Sequence, residues 1–580
     1  MNQQTVPDQF CDIVLKGGIT SGVVYPLALT SLAKNYRFSC IGGTSAGAIA
    51  AAAAAAAEYG RQTGHGGFDR LSQIPREIGP HLLDLFQPTP VLKPAYDVFI
   101  AVLRETTWLA RLLSGLRAAI LGYRGVAAAG IAVGLVVMIG ALLQGSPAAF
   151  FLGAVLAALG LVGALAWRLG TAAASELVAN DYGLCPGTRQ PYATAEAFTD
   201  WLARLIDEAA GREGDTIRPL TFGDLANPPD GKPPIQLAMM TTSLMEQRPY
   251  TLPMTNHQFV FEKSEWEKLF PQRILNFLTR QCQSVMPEAG EKGEFYHFPE
   301  PDRLPLVVAA RMSLSFPGLI CAVPLWRRDF TLRDEAERQK LRRCLFSDGG
   351  LSSNFPIHFF DHLLPNRPTF AISLDEFDPK RNLDNDRVWL PSAAAPGSGS
   401  GSQLPVLPFE GLGAFLMRLL DAAKNWQDNL QSVLPGYRER IAHVALKSDE
   451  GGLNLTMAEA TIRKLVGYGS EAGTKLCTEF DLDAHRWRRF LVAMARMEET
   501  LDEVAMAYEG APDGRQKFAD FLARYPQEAA HYKQTPEILD VMLARGRALA
   551  ECGAQWRTKP TIRDGVIPQP PTNLRVTPKP

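Results

Sequence analysis

The stretch Gly43-Thr44-Ser45-Ala46-Gly47 holds a serine between two glycines at the G-x-S-x-G spacing of a nucleophile elbow. Arg37 to Ile41 before it reads as a short buried strand. Ala46 to Glu58 after it is almost pure alanine, the strongest helix former, with side chains small enough to lie close to a sheet. A serine at such a junction exposes its Oγ at a helix N-terminus, where free N–H groups favour negative charge. The Ala46 N–H is then placed to bind an oxyanion. Two further stretches carry the right residue types. In "LKGGITSG", Leu15 to Gly22, glycines after a strand let backbone N–H groups face a ligand, which makes the loop a candidate second half of an oxyanion hole; a tight strand-to-helix turn is the alternative. In "FSDGGLSSNFP", Phe346 to Pro356, the carboxylate of Asp348 precedes Gly349 and Gly350, which allow close backbone approach; the alternative is an ordinary Asp-Gly turn. Of nine histidines, only His358 and His362 lie near that aspartate in sequence, on an expected helix after Pro356, where a structural or exposed role is expected.

Positioning these residues requires an α/β framework. Cys11 to Leu15 and Arg37 to Ile41 each run into glycines and then a helical pattern, and an apolar helix is expected from about Val23 to Ala33. The stretches "IQLAMMTTSL" (Ile235 to Leu244), "LPLVVAARMS" (Leu304 to Ser313) and "RPTFAISLDEF" (Arg367 to Phe377) read as further strands, and "RIAHVALK" as another. Between these halves, Gly125 to Trp167 carries no charged residue. Two spans fit, 125–143 and 148–167, each roughly 30 Å long as a helix, enough to cross a bilayer. "GIAVG", Gly130 to Gly134, is a small-xxx-small pattern that lets two such helices touch. Arg111, Arg117 and Arg124 precede the pair, Arg168 follows it, and the turn is uncharged, so both ends are expected in the cytoplasm. The alternative is a helical hairpin buried in a soluble core.

The three chemical stretches together resemble the patatin-like phospholipase family. "TTSL" at Thr241 to Leu244, "AARMSLSFPGL" at Ala309 to Leu319, and the trailing Asn354 and Pro356 agree with its pattern. The resemblance covers roughly residues 8 to 380. It implies a three-layer α/β/α fold with a mainly parallel central sheet and a Ser-Asp dyad that works without histidine. Carried over, it makes Ser45 the nucleophile, Asp348 the base, and Gly17, Gly18 and Ile19 the oxyanion loop beside Ala46, with Gly43, Gly47, Gly349 and Gly350 shaping the turns. The chain departs from the family at that loop, where Ile19 stands in a usual glycine run and the usual basic residue is missing. The implied activity is hydrolysis of carboxylic esters of phospholipids or related lipids, of phospholipase A type, through an acyl-enzyme. A lipid acyltransferase on the same fold, or a degenerate membrane scaffold, are the alternatives.

Composition bounds the rest. The chain has 580 residues and a formal net charge of -2, which gives no electrostatic case for nucleic acid. Eight scattered cysteines suggest neither a zinc site nor a disulfide framework, and no metal or cofactor is implied. The polar start "MNQQTVPDQF" lacks a secretory signal pattern. The expected organisation is 8–100 and 181–390 as two parts of one catalytic domain, with 101–180 as the insertion between them. A flexible linker follows at 391–405, a mostly helical region at 406–560 and a proline-rich tail at 561–580. The helical region has three open uses: covering a sheet edge, capping the substrate groove, or forming a homo-oligomer contact. Expected partners are a membrane lipid substrate and the bilayer itself, and the expected location is the inner cell membrane with the catalytic domain facing the cytoplasm.

Overall fold

Apolar runs that end in glycine form the centre of the sheet. Strands β1 (Gln9–Leu15) and β2 (Tyr36–Gly43) pair in parallel with Leu15 opposite Gly43. The computed structural model describes residues 7–18, 20–79, 81–105, 107–212, 218–255, 258–286, 292–391, 404, 406, 411–447, 449–452, 454–510, 517–528, 531–558, 560–565 and 568. Beside β2 lies β3 (Gln236–Ser243), and beside β1 lies β4 (Thr369–Glu376), followed by β5 (Ile441–Leu446), all parallel. Because parallel strands end at one edge, the loops after β1 and β2 share the crevice where open α/β sheets bind ligands. The sheet is 12-stranded, and beyond β3 its pairing turns antiparallel. It is therefore mixed, not mainly parallel. The change begins at β3 itself, which turns back through a tight hairpin to strand Arg248–Leu252 and on its other side pairs antiparallel with strand Leu341–Asp348.

Helix α1 (Tyr25–Leu32) and helix α2 (Ala46–Thr63) cover one face of the sheet. Ala51 to Ala57 are buried almost completely, so the polyalanine lets the helix sit against β1 and β2 with no long side chain between. On the other face, Val14, Ala238, Met240, Ala371 and Ile441 meet Phe355, Ile357 and Phe359. That covering segment is tied to helices 411–432 and 482–509: Asp428 accepts from the Phe355 N–H, and Arg489 donates to the His362 carbonyl.

Helices Arg124–Gln144 and Pro147–Thr171 are long and apolar enough to cross a membrane. Only 17% and 11% of their most apolar windows are buried. A soluble core helix would hide those side chains; here Val133, Val136, Phe151 and Leu159 face outward. Gly130 and Gly134 sit where the two helices pack too tightly for a Cβ, against Gly160 and Ala157. Helix Trp108–Gly122 before them also leaves Trp108, Leu109, Leu112 and Leu113 exposed.

Two local expectations are corrected. Leu304 to Ser313 is a helix over Leu306–Ser313, not a strand, and every residue of it is buried. A helix packed on all sides needs no polar face, so its sequence loses the 3.6-residue period that marks helices. His358 lies in a turn after Pro356 and His362 in the irregular segment that follows, neither on a helix. The expected linker at 391–405 falls outside the described residues except for Pro391 and Leu404, as does the tail beyond Gly565 except for Pro568. The region between them is helical over Gly411–Ser432, Glu459–Thr478, Leu482–Glu509, Phe518–Glu528 and Pro536–Arg557.

Candidate active site

Ser45 stands between β2 and α2 with φ 55° and ψ -129°. For a residue with a side chain this is strained backbone, of the kind found at functional turns. The flanking glycines make the turn possible. A Cβ on Gly43 would lie 2.4 Å from the Gly47 carbonyl oxygen, and one on Gly47 would lie 2.3 Å from that of Leu15. The elbow therefore presses directly on the end of β1, and only glycine fits at either position.

Asp348 ends strand Leu341–Asp348, where it pairs with Thr241 of β3, two residues past the point where β3 meets Gly43. That register brings the two candidate side chains together: Ser45 Oγ donates to Asp348 Oδ2 at 2.7 Å. The other carboxylate oxygen, Oδ1, accepts from the Gly350 N–H at 2.7 Å. Gly349 is held so close to the Met240 carbonyl that a Cβ there would collide with it. Both Ser45 and Asp348 are buried. Burial disfavours the charged carboxylate and pushes Asp348 up to about 6, against the opposing pull of its hydrogen bonds to Ser45 and Gly350 and of the Lys424 charge. Among the described residues no histidine bonds either group; His358 packs edge-on against Phe359.

The expected oxyanion donors have partners of their own. The Ala46 N–H donates to the Gly18 carbonyl at 3.1 Å, and Ser45 Oγ lies 3.1 Å from the same oxygen. The Gly17 N–H donates to the Asn354 carbonyl at 2.7 Å. Ile19 lies outside the described residues. The Gly18 carbonyl thus stands where an oxyanion would have to sit. On one side of this loop is a polar cleft lined by Lys16, Gly17, Asn354, Asp375 and Lys447. There Lys16 Nζ is held by Asp375 at 3.0 Å and Ser373 at 3.1 Å. On the other side is an apolar cavity that begins at Thr20, Gly22 and Ala46.

Several supporting residues escape a reading of sequence alone. Ser313 Oγ accepts from the Ser45 N–H at 3.1 Å. The Ser315 carbonyl accepts from the Asp348 N–H at 3.0 Å and from Ser347 Oγ at 2.9 Å. Arg311, fully buried, donates to Ser315 Oγ and to the carbonyls of Pro186 and Cys321, and burial pulls it down to about 10. Thr242 Oγ1 donates to the Asp348 carbonyl at 3.0 Å. The only signal for Arg311 in the sequence is its isolation as the one charge in a long apolar run. Arrangements of this kind support proton transfer from a serine hydroxyl directly to a desolvated carboxylate.

No family model matches the chain. Among solved structures, VipD from Legionella pneumophila aligns over 95% of this chain and 86% of its own, at 12% identity and a TM-score of 0.29, too low to carry an argument about fold. Among curated proteins, the RpoH suppressor of Rhizobium meliloti (strain 1021) is 32% identical, with 99% of each chain covered. At that identity over essentially the whole length, the chain belongs to the family of this RpoH suppressor.

Proposed function

We propose that the chain is a membrane-anchored serine acyl hydrolase with a patatin-like fold, acting on lipid esters through a Ser45-Asp348 dyad. The observation that carries this reading is the 2.7 Å bond from Ser45 Oγ to Asp348 Oδ2 at a strained elbow. Ser45 Oγ attacks the ester carbonyl as its proton passes to Asp348, and the alcohol leaves with that proton. Asp348 then takes a proton from water as its oxygen attacks the acyl carbonyl, the acyl–Oγ bond breaks to release the acid, and the proton returns from Asp348 to Ser45 Oγ. The carboxylate suits this task because burial has raised its basicity toward neutrality. For the Ala46 N–H to hold the developing oxyanion, the substrate oxygen displaces the Gly18 carbonyl from it. The helices 124–144 and 147–171 form a transmembrane hairpin with both ends in the cytoplasm, supported by their outward apolar faces and by Arg117, Arg124 and Arg168 at its flanks. Anchoring beside the bilayer raises the local concentration of lipid without new contacts. Hydrolysis of a panel of lipid esters in detergent by wild type and Ser45→Ala tests the proposal; turnover that survives the substitution refutes it.

A further inference from the structure

The polyalanine helix has a second face that the sheet does not use. Ala46, Ala50 and Ala53 of α2 look across a cavity of about 90 Å³ toward Leu71, Ile74 and Ile78 of helix Phe68–Ile78. That is several times the space a single water needs. Thr20 contributes the one hydroxyl of its wall, and no ionisable side chain lines it. A cavity so apolar holds hydrocarbon better than water. Its near end is formed by Ala46, whose N–H neighbours Ser45 Oγ, and by Leu314, which follows the Ser313 hydroxyl bonded to the Ser45 N–H. The short alanine side chains create this space; leucines at the same positions would fill it.

We infer that this cavity receives the acyl chain of the substrate and that the alanine stripe sets how long a chain is accepted. The inference rests on the acyl-transfer reading above and adds to it the shape of the acyl group. Ala46 to Ala53 spans about 10 Å of helix. An extended chain advances about 1.2 Å per backbone bond, so the stripe matches roughly eight bonds of a straight saturated chain. The polar cleft on the far side of the Gly17 to Gly22 loop is left for the alcohol, so the two halves of an amphiphilic ester part at Ser45.

Each methylene that enters the cavity should raise kcat/KM by about fourfold, until the chain outgrows it. The test measures kcat/KM for saturated p-nitrophenyl esters from butyrate to palmitate in the full-length protein in detergent. The readout is the ratio of decanoate to butyrate within each enzyme, which cancels differences in the amount of folded protein. In Ala53→Leu, where the added side chain projects into the cavity, the ratio should fall at least about tenfold, two or more methylenes being displaced. In Ile74→Ala, which deepens the opposite wall, the optimum should move to longer chains. Ratios unchanged in both variants, or a wild type indifferent to chain length while its turnover still depends on Ser45, overturn this inference alone. Turnover that does not depend on Ser45 at any length overturns the hydrolase reading beneath it.

Discussion

Replacing Asp348 by Asn should abolish turnover and make the protein more stable at neutral pH. Asn keeps the shape of the side chain, and its oxygen can accept from the Gly350 N–H while its amide donates to Ser45 Oγ. What it removes is a buried charge. A carboxyl moved from 3.8 to about 6 in the folded state costs about 3 kcal/mol of stability once fully ionised. The sign follows from the folded value lying above the unfolded one: the folded protein binds the proton more tightly, so stability is greatest below about 4 and is lost as pH rises through about 6. Asn does not titrate. Urea unfolding in detergent, followed by tryptophan fluorescence at several pH values, should therefore give Asp348→Asn an advantage approaching about 3 kcal/mol near pH 7.5 and almost none near pH 4. An advantage independent of pH, or a variant less stable than wild type at neutral pH, would refute the claim that burial has charged this aspartate at a cost.

The pH profile of kcat/KM should fall about tenfold per pH unit below about 6 and level off above it, because only ionised Asp348 can take the Ser45 proton; a flat profile between pH about 5 and 7 contradicts this. Gly47→Ala, which puts a Cβ 2.3 Å from the Leu15 carbonyl oxygen, should lower thermal stability by the equivalent of about 1–3 kcal/mol and disable Ser45; calorimetry and ester hydrolysis check it. Arg311→Met should cost about 2–5 kcal/mol, since the Pro186 and Cys321 carbonyls and Ser315 Oγ lose their buried donor; denaturant unfolding reads it. Ser146→Cys, in the turn between the two apolar helices, should react with a membrane-impermeant maleimide in intact cells above the background of the parent protein; labelling only after lysis would reverse the proposed orientation.

What could be read from sequence follows from how local each feature is. The elbow is legible because its whole geometry lies within five residues: two glycines, a serine and an alanine helix. Asp348 is legible as a candidate because its two glycines follow it directly, but its register against Thr241 is a tertiary fact. Ser313 meets the Ser45 N–H across 268 positions, and nothing in either stretch announces the pairing. The helix 306–313 was hidden by its burial on every side, which erased the polar face that a periodicity argument needs. The antiparallel half of the sheet was hidden because a strand's sequence does not state its direction. Polyalanine was legible as close packing against the sheet, while the cavity on its other face depends on where helix 68–78 comes to rest.

The central claim is that Ser45 is a nucleophile activated by Asp348. Reaction of the detergent-solubilised protein with a fluorophosphonate, followed by peptide mass mapping, tests it most directly. The account predicts one phosphonyl adduct, on Ser45, absent from Ser45→Ala and formed far more slowly in Asp348→Asn. An unmodified Ser45 in folded protein, or labelling as fast without Asp348 as with it, would contradict the account.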